Sequence, residues 1–206
     1  MKTRKIILVS ASPRRRKLLR QMKIKFVSAT PKIDEDLLIS RFHKKGFKKL
    51  VEILSIAKAL SVLGNNDLSL NGDELILGFD TVVVCDKKIL GKPKNRGHAL
   101  KMLLSLSNKF HVVCTGIAMI DLEKKRIFLD HEITKVFMKK ITKKEALRYI
   151  KTSEPLDKAG AYAIQGRGKK FVKKIDGDYH NVVGFPLKKF LKMLNMSQRA
   201  YEPMIL

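Results

Sequence analysis

Cysteine is scarce in this chain: among 206 residues only Cys85 and Cys114 carry a thiol. Both lie inside apolar, strand-like runs, so a disulfide framework is excluded and metal ligation by two isolated cysteines is a poor fit. Lys2-Thr3-Arg4-Lys5 followed by four apolar residues does not make a secretory leader. The expectation is reduced core cysteines in a cytoplasmic protein. Long hydrophobic runs are missing too, and none is long enough to span a bilayer. With 6 prolines and 12 glycines against 45% hydrophobic residues, disorder is excluded as well. Acidic residues are few, 19 against 44 lysines and arginines, which gives a formal charge of +25. Such an excess invites a nucleic-acid reading. Against it, the cations are spread along the whole chain, and no zinc finger, RNA-recognition signature or helix-turn-helix spacing stands out. The expectation is therefore attraction to small polyanions, with no specific nucleic acid and no membrane. Many lysines serve simply as solvated surface.

What is present begins with Ile6-Ile7-Leu8-Val9, which breaks into Ser10-Ala11-Ser12-Pro13-Arg14-Arg15 and leads into Arg16 to Met22. This reads as strand, turn, helix. Ser12 suits the N-cap, Pro13 the first helical position, and Leu18, Leu19 and Met22 form an apolar stripe. A helix start offers free N–H groups and the positive end of the dipole; two serines and two arginines add further donors. Basic residues there oppose the dipole, which favours an anionic ligand over an ordinary capped helix.

The remaining pattern interleaves helices and strands. A helix is expected from Phe47 to Leu63, ended by Gly64 and the Asn65-Asn66-Asp67 turn, with Lys58 beside its apolar face. Glu74 to Cys85 reads as a strand that turns at Asp86-Lys87-Lys88 into Ile89-Leu90. Asn95 can cap a helix through Leu106. His111 to Leu122 and Arg126 to Met138 read as paired strands, and Thr142 with Glu145 forms a capping box for a helix to Ile150. Phe171 to Ile175 and Tyr179 to Val183 suggest another hairpin around Asp176-Gly177-Asp178. Pro186 starts a last helix through Leu194, before a loose tail. The class is α/β with a mixed, largely antiparallel sheet, in one domain over 1–195 with a tail at 196–206.

Three clusters can carry chemistry. Asp80 lies between the apolar runs Leu75-Ile76-Leu77 and Val82-Val83-Val84, where an unpaired carboxylate is costly; it needs a cation, a hydrogen-bond network or a site opening, unless it merely makes an Asx turn at a strand break. Gly91-Lys92-Pro93 holds Lys92 at a rigid turn. In the run from Glu154 to Gly168, glycines surround Gln165, whose amide can read a base edge or simply face solvent.

Together these segments resemble the Maf family of nucleoside triphosphate pyrophosphatases. The likeness runs in order through Ser10-Ala11-Ser12-Pro13-Arg14-Arg15, Ala57-Lys58-Ala59, Asp80-Thr81-Val82-Val83, Gly91-Lys92-Pro93, the Glu154–Gly168 run and the stretch ending Gly184-Phe185-Pro186. The resemblance implies an elongated mixed sheet with flanking helices in two lobes around a deep cleft, a fold shared with inosine triphosphatases, commonly as a homodimer. It implies cleavage of a nucleoside triphosphate to the monophosphate and pyrophosphate. By position Asp80 matches the residue that activates water. Ser10, Arg14, Arg15, Lys58 and Lys92 match phosphate-contacting positions. Glu35, in the acidic patch Ile33-Asp34-Glu35-Asp36, matches a carboxylate near a divalent metal, Mg²⁺ or alternatively Mn²⁺, which Asp80 can share; the plain alternative is a solvated glutamate.

Arg14, Thr81 and Gln165 match the subgroup acting on dTTP and UTP. The subgroup acting on 7-methyl-GTP typically carries Glu in the loop, which suits a cationic base. Phe79 and Asn108 depart from the family pattern, standing where a small residue and a glycine are usual. His180 either approaches the substrate or makes ordinary hydrogen bonds, and His43, His98, His111 and His131 show no ligand spacing. Other classes remain open at this level: a nucleic-acid-associated protein, or a regulator of septum formation and growth in which catalysis is secondary.

Overall fold

The computed structural model describes residues 4–64 and 68–198. Seven strands among them form one sheet in the order β2 (Phe26–Ala29), β1 (Ile6–Val9), β3 (Leu75–Cys85), β5 (Phe110–Asp121), β6 (Arg126–Met138), β7 (Val172–Asp176). The short β4 (Lys88–Leu90) hairpins back on β3. β1 runs parallel to both β2 and β3, while β3, β5, β6 and β7 are antiparallel neighbours, so the sheet is mixed as expected.

β3 is the spine, and its middle is where the core divides. Leu75, Leu77 and Phe79 pack with α1 (Pro13–Gln21) and α7 (Leu187–Gln198) through Leu19, Phe185, Phe190 and Met193. Beyond Asp80, Val83 and Cys85 join a second cluster with α4 (Arg96–Leu106) and α5 (Lys143–Ile150). Both cysteines are buried free thiols, as expected.

α3 (Phe47–Leu60) lies directly on the other face of the sheet. The approach is possible because the sheet offers glycine beneath it. A Cβ at Gly78 would stand 2.1 Å from the Ser55 carbonyl oxygen, and one at Gly116 2.2 Å from that of Val51. Real side chains there would force the helix away at a cost of about 1–3 kcal/mol or more. The two glycines thus set the height of α3 above the sheet.

Local signals act as read at several points. Asn95 accepts from the His98 N–H at 2.8 Å, and Thr142 with Glu145 forms the full capping box. Asn108, in place of the usual glycine, adopts φ +55°, a left-handed conformation that asparagine tolerates. Phe79 is fully buried, with its ring 4.9 Å from that of Phe185.

Elsewhere the structure departs from expectation. Tyr179–Val183 is a short helix, α6, rather than a strand: Asp178 caps it through the His180 N–H and Gly184 closes it at φ +96°. β7 therefore pairs only with β6 in the sheet order. α3 stops at Leu60, where the Ser61 N–H closes onto Ala57 and Lys58 carbonyls; the expected Asn65–Asp67 turn lies outside the described residues. The acidic patch opens an additional helix, α2 (Glu35–Phe42), capped by Asp34 through the Leu37 N–H. The last helix runs to Gln198, taking Met196–Gln198 from the expected tail; 199–206 lie outside the described residues.

Candidate active site in the cleft between the two core clusters

A cleft of about 630 Å³ opens where the core divides at Asp80. It brings together every residue singled out from the sequence: Ser10, Arg14, Arg15, Glu35, Lys58, Asp80, Thr81, Lys92 and Gln165 all line it. They arrive from separate elements, in a construction that starts with α3. Because Gly78 and Gly116 let that helix down onto the sheet, Lys58 in its last turn reaches the middle of β3. Its ammonium lies 2.6 Å from Asp80 Oδ1 and 2.9 Å from Glu35 Oε1. Lys58 and Asp80 are both nearly buried, whereas Glu35 is partly open to solvent. Burial pushes the Glu35 carboxyl up, but the neighbouring charge and hydrogen bond of Lys58, helped by Lys92 and Arg15, hold it below the usual range.

The β1–α1 turn supplies the opposite wall. Arg15 is buried, and its guanidinium makes four hydrogen bonds: Nε to the Gly184 carbonyl at 2.8 Å, Nη1 to Ser10 Oγ and the Phe79 carbonyl at 3.1 Å each, and Nη2 to Thr81 Oγ1 at 3.0 Å. One of its five N–H groups is left for anything in the cleft. Burial lowers its pKa to about 10, partly offset by the charge of Asp80, so it stays cationic at neutral pH. Arg15 is thus chiefly a brace between β1, β3 and the end of α6. Thr81 belongs to the same brace: its hydroxyl accepts from Arg15 and bonds Thr115 Oγ1 at 3.0 Å. Thr115 also donates to the Asn181 carbonyl, so the Thr81 proton is directed at Thr115.

Ser10 is differently placed. Its Oγ accepts from the Ser12 N–H and from Arg15, which leaves its own proton free to donate. Ser12 stands at the N-cap position of α1 but makes no side-chain cap, against expectation. The first-turn N–H groups of α1 thus keep no hydroxyl partner from Ser12. Arg14 lines the cleft half-buried; burial lowers its pKa, with the charge of Asp157 acting the other way. Lys92 stands exposed on the loop after β4.

Gln165 sits exposed at the far end, on the loop joining short 3₁₀ turns. That loop is held by Glu154, whose carboxylate accepts from the Arg167 N–H at 3.1 Å, the Gly168 N–H at 3.2 Å and the Tyr149 hydroxyl at 2.8 Å. Its floor includes Tyr162, whose hydroxyl lies 2.8 Å from His111 Nε2 in the core. Asp157 and Tyr162 line the cleft without having been singled out as functional. Their signal was weak, a carboxylate and a phenol within the already chosen glycine-containing run. His180 is committed locally, with Nδ1 3.6 Å from Asp178.

Chemically, the site puts cations and hydroxyl donors along one wall and carboxylates on a central lysine. Residues 5–197 match the family model described as Maf-like protein. The chain belongs to the Maf family. Curated relatives of this Maf chain include the dTTP/UTP pyrophosphatase of Alkaliphilus metalliredigens, 44% identical over 93% of this chain and 95% of its own. The dTTP/UTP pyrophosphatase of Acetivibrio thermocellus is 45% identical over 92% and 94%, and that of Clostridium acetobutylicum 43% over 92% and 96%. Among solved structures, a HAM1 protein from Coxiella burnetii superposes with a TM-score of 0.50 at 16% identity, covering 94% of this chain and 99% of that one. That likeness concerns the fold alone.

Among the described residues no group of three or more His, Cys, Asp and Glu side chains could hold a metal. Glu35 and Asp80, however, converge on one cation position, now taken by the Lys58 ammonium. Two carboxylates with room beside them fit an ion such as Mg²⁺, which binds through one or two carboxylates and completes its shell with water and phosphate. No helix among the described residues is long and apolar enough to cross a membrane.

Proposed function

We propose that this Maf protein hydrolyses dTTP and UTP between the α- and β-phosphates, releasing the nucleoside monophosphate and pyrophosphate. The observation that carries the reading is the buried Lys58 ammonium between Asp80 and Glu35, facing a wall of Ser10, Arg14 and Arg15. The activity of the curated relatives, dTTP/UTP pyrophosphatases, supplies the substrates. In this reading Asp80 takes the proton of the attacking water. Ser10, Arg14, Lys92 and the remaining N–H of Arg15 hold the phosphates, and Thr81 acts by fixing Arg15. Glu35 and Asp80 would hold a divalent cation, Mg²⁺ or Mn²⁺, which when bound neutralises charge on the phosphate oxygens. Gln165 offers a neutral donor and acceptor to the imide edge of thymine or uracil. The enzyme works in the cytoplasm, in keeping with its two free buried thiols, and as a homodimer.

A nucleotide panel with Mg²⁺, scored separately for pyrophosphate and orthophosphate, tests this. Pyrophosphate released fastest from dTTP and UTP is expected. Faster turnover of 7-methyl-GTP would overturn the base preference, and orthophosphate as the product would overturn the reaction.

A further inference from the structure

The face of the sheet that carries α3 is not covered to its end. Beyond the first turn of that helix, two rows of side chains continue across the strands. One row is Val84, Val112, Lys135 and Asp176; the next is Phe110, Phe137 and Lys174. Directly opposed residues on neighbouring antiparallel strands share a face, so these side chains stand together. Phe110 is 55% exposed and Phe137 39%, and their rings touch each other with centroids 5.7 Å apart. An exposed pair of large aromatic rings in contact is the kind of surface feature that asks for a partner.

Its surroundings say which. Lys135 and Lys174 are exposed within the two rows, Lys139 stands just past the end of β6, and Lys48 lies in the first turn of α3. Asp176 is the single carboxylate of the rows, and Asp86 nearby is matched by Lys109 at 2.7 Å. A second copy docked on this patch would set its own exposed lysines against Lys135 and Lys174, so the homodimer proposed above would use another face. Two half-open rings are also too little apolar area to anchor on a lipid surface. Aromatic rings on adjacent strands of an open sheet, bordered by cations, suit stacked bases and the phosphates that link them.

We propose that Phe110 and Phe137 form a stacking platform for single-stranded nucleic acid, with Lys135, Lys174, Lys139 and Lys48 holding its phosphates. The platform is separate from the cleft, whose lining contains neither ring. It offers few groups for reading base edges, so it accepts sequence loosely. This extends the sequence reading, which found no specific recognition signature, to a surface only folding creates.

The test must separate stacking from the general attraction of a basic protein for polyanions. Fluorescence anisotropy is read at 200 mM salt without divalent metal, on labelled twelve-nucleotide thymidine and uridine strands and on an abasic strand of equal length. The base-bearing strands are expected to bind at least about fivefold more tightly than the abasic one, in line with the stacking gain per base. Phe110→Ala with Phe137→Ala should remove that margin, Phe110→Tyr with Phe137→Tyr should keep it, and turnover of UTP should be unchanged in both. Lys135→Glu with Lys174→Glu should flatten the dependence of log affinity on log salt by about 1.4, two phosphate contacts' worth. Excess UTP should not displace the strand. Equal binding of abasic and base-bearing strands, displacement by UTP, or an unaltered margin in the double alanine variant would overturn the proposal. So would a dimer that the alanine variant dissociates, or binding to anionic vesicles that depends on the same rings while strand binding does not.

Discussion

The two walls of the cleft are built on different plans. The proposed phosphate wall comes largely from regular elements, α1, α2, α3 and β3, with Ser10 on the turn after β1 and Lys92 on the loop after β4, and most of its buried charged groups are fixed by partners. Lys58 holds Asp80 and Glu35, and Arg15 is tied by four hydrogen bonds to three parts of the chain. The base wall comes from short 3₁₀ turns, with Gln165 exposed on a loop pinned by the Glu154 carboxylate. Its buried support, the His111–Tyr162 pair, is uncharged at neutral pH. In the proposed function, chemistry that must place charge to within a fraction of an ångström rests mostly on secondary structure, whereas recognition rests on a loop with replaceable side chains. Each wall should therefore fail in its own way.

Breaking the phosphate wall should have the largest effect. Asp80→Asn keeps the shape and one hydrogen-bond acceptor for Lys58 but removes the base. The protein is expected to fold, since Glu35 still balances Lys58, and to lose at least about a hundredfold in turnover on every nucleotide, the usual worth of general-base assistance. Steady-state rates on the purified variant, beside its thermal melt, check both halves. Near-normal turnover would remove Asp80 from the reaction.

Much of this wall was legible in the sequence, because its pieces are local. A β-branched run breaking into Ser-x-Ser-Pro, and a carboxylate between apolar runs, each carry their own physical reason to be a turn or a site. What joins them was not legible. The Arg15 bond to the Gly184 carbonyl spans 169 residues and the Lys58–Asp80 pair spans 22; the second depends on α3 settling over Gly78 and Gly116, the first on the opposite face of the sheet. So the brace that Arg15 and Thr81 make, beside their place in the cleft lining, is visible only in the fold. The base wall was less legible still. α6 was read as a strand because Tyr179 to Val183 is rich in aromatic and β-branched residues; its cap at Asp178 and its stop at Gly184 prevail over that composition. α2 buries none of its residues fully, and the acidic patch at its start is the feature that stands out in the sequence. Nothing in the run from Glu154 to Gly168 marks Glu154 as the residue whose carboxylate organises the loop.

Acid should break the walls in the opposite order. Burial lowers the His111 pKa to about 4, so the fold favours the neutral ring. The stability this confers is fully present above the ordinary histidine value of about 6.5 and is lost as pH falls toward 4, about 3 kcal/mol in all. Glu35 instead is held below its usual range, so this carboxylate of the phosphate wall keeps its charge over most of that window. Denaturant unfolding between pH 7 and pH 4 should show this loss in the wild type and a flatter profile in His111→Leu. That variant is weaker at neutral pH, because the Tyr162 hydroxyl loses its partner, but has no ring to protonate. Parallel profiles for the two proteins would mean that His111 is not the group that titrates.

The smallest effect, and the one that sharpens the contrast most, should come from the tip of the base wall. Gln165→Glu exchanges a neutral amide for a carboxylate of the same length on an exposed loop position. The backbone there is held by Glu154 and by the turns around it, so the fold and the melting temperature should hardly move. The amide can meet both the N3–H and a carbonyl of uracil, whereas a carboxylate can only accept and would face that carbonyl with like charge. A polar group left without its partner in a recognition site costs discrimination rather than chemistry. UTP and dTTP turnover should therefore fall by about tenfold or more. Hydrolysis of 7-methyl-GTP, whose base is cationic, should fall less or rise. The ratio of kcat/KM for UTP to that for 7-methyl-GTP, wild type against variant, is the measurement. An unchanged ratio would mean that Gln165 does not read the base, leaving base preference to the cleft floor around Tyr162.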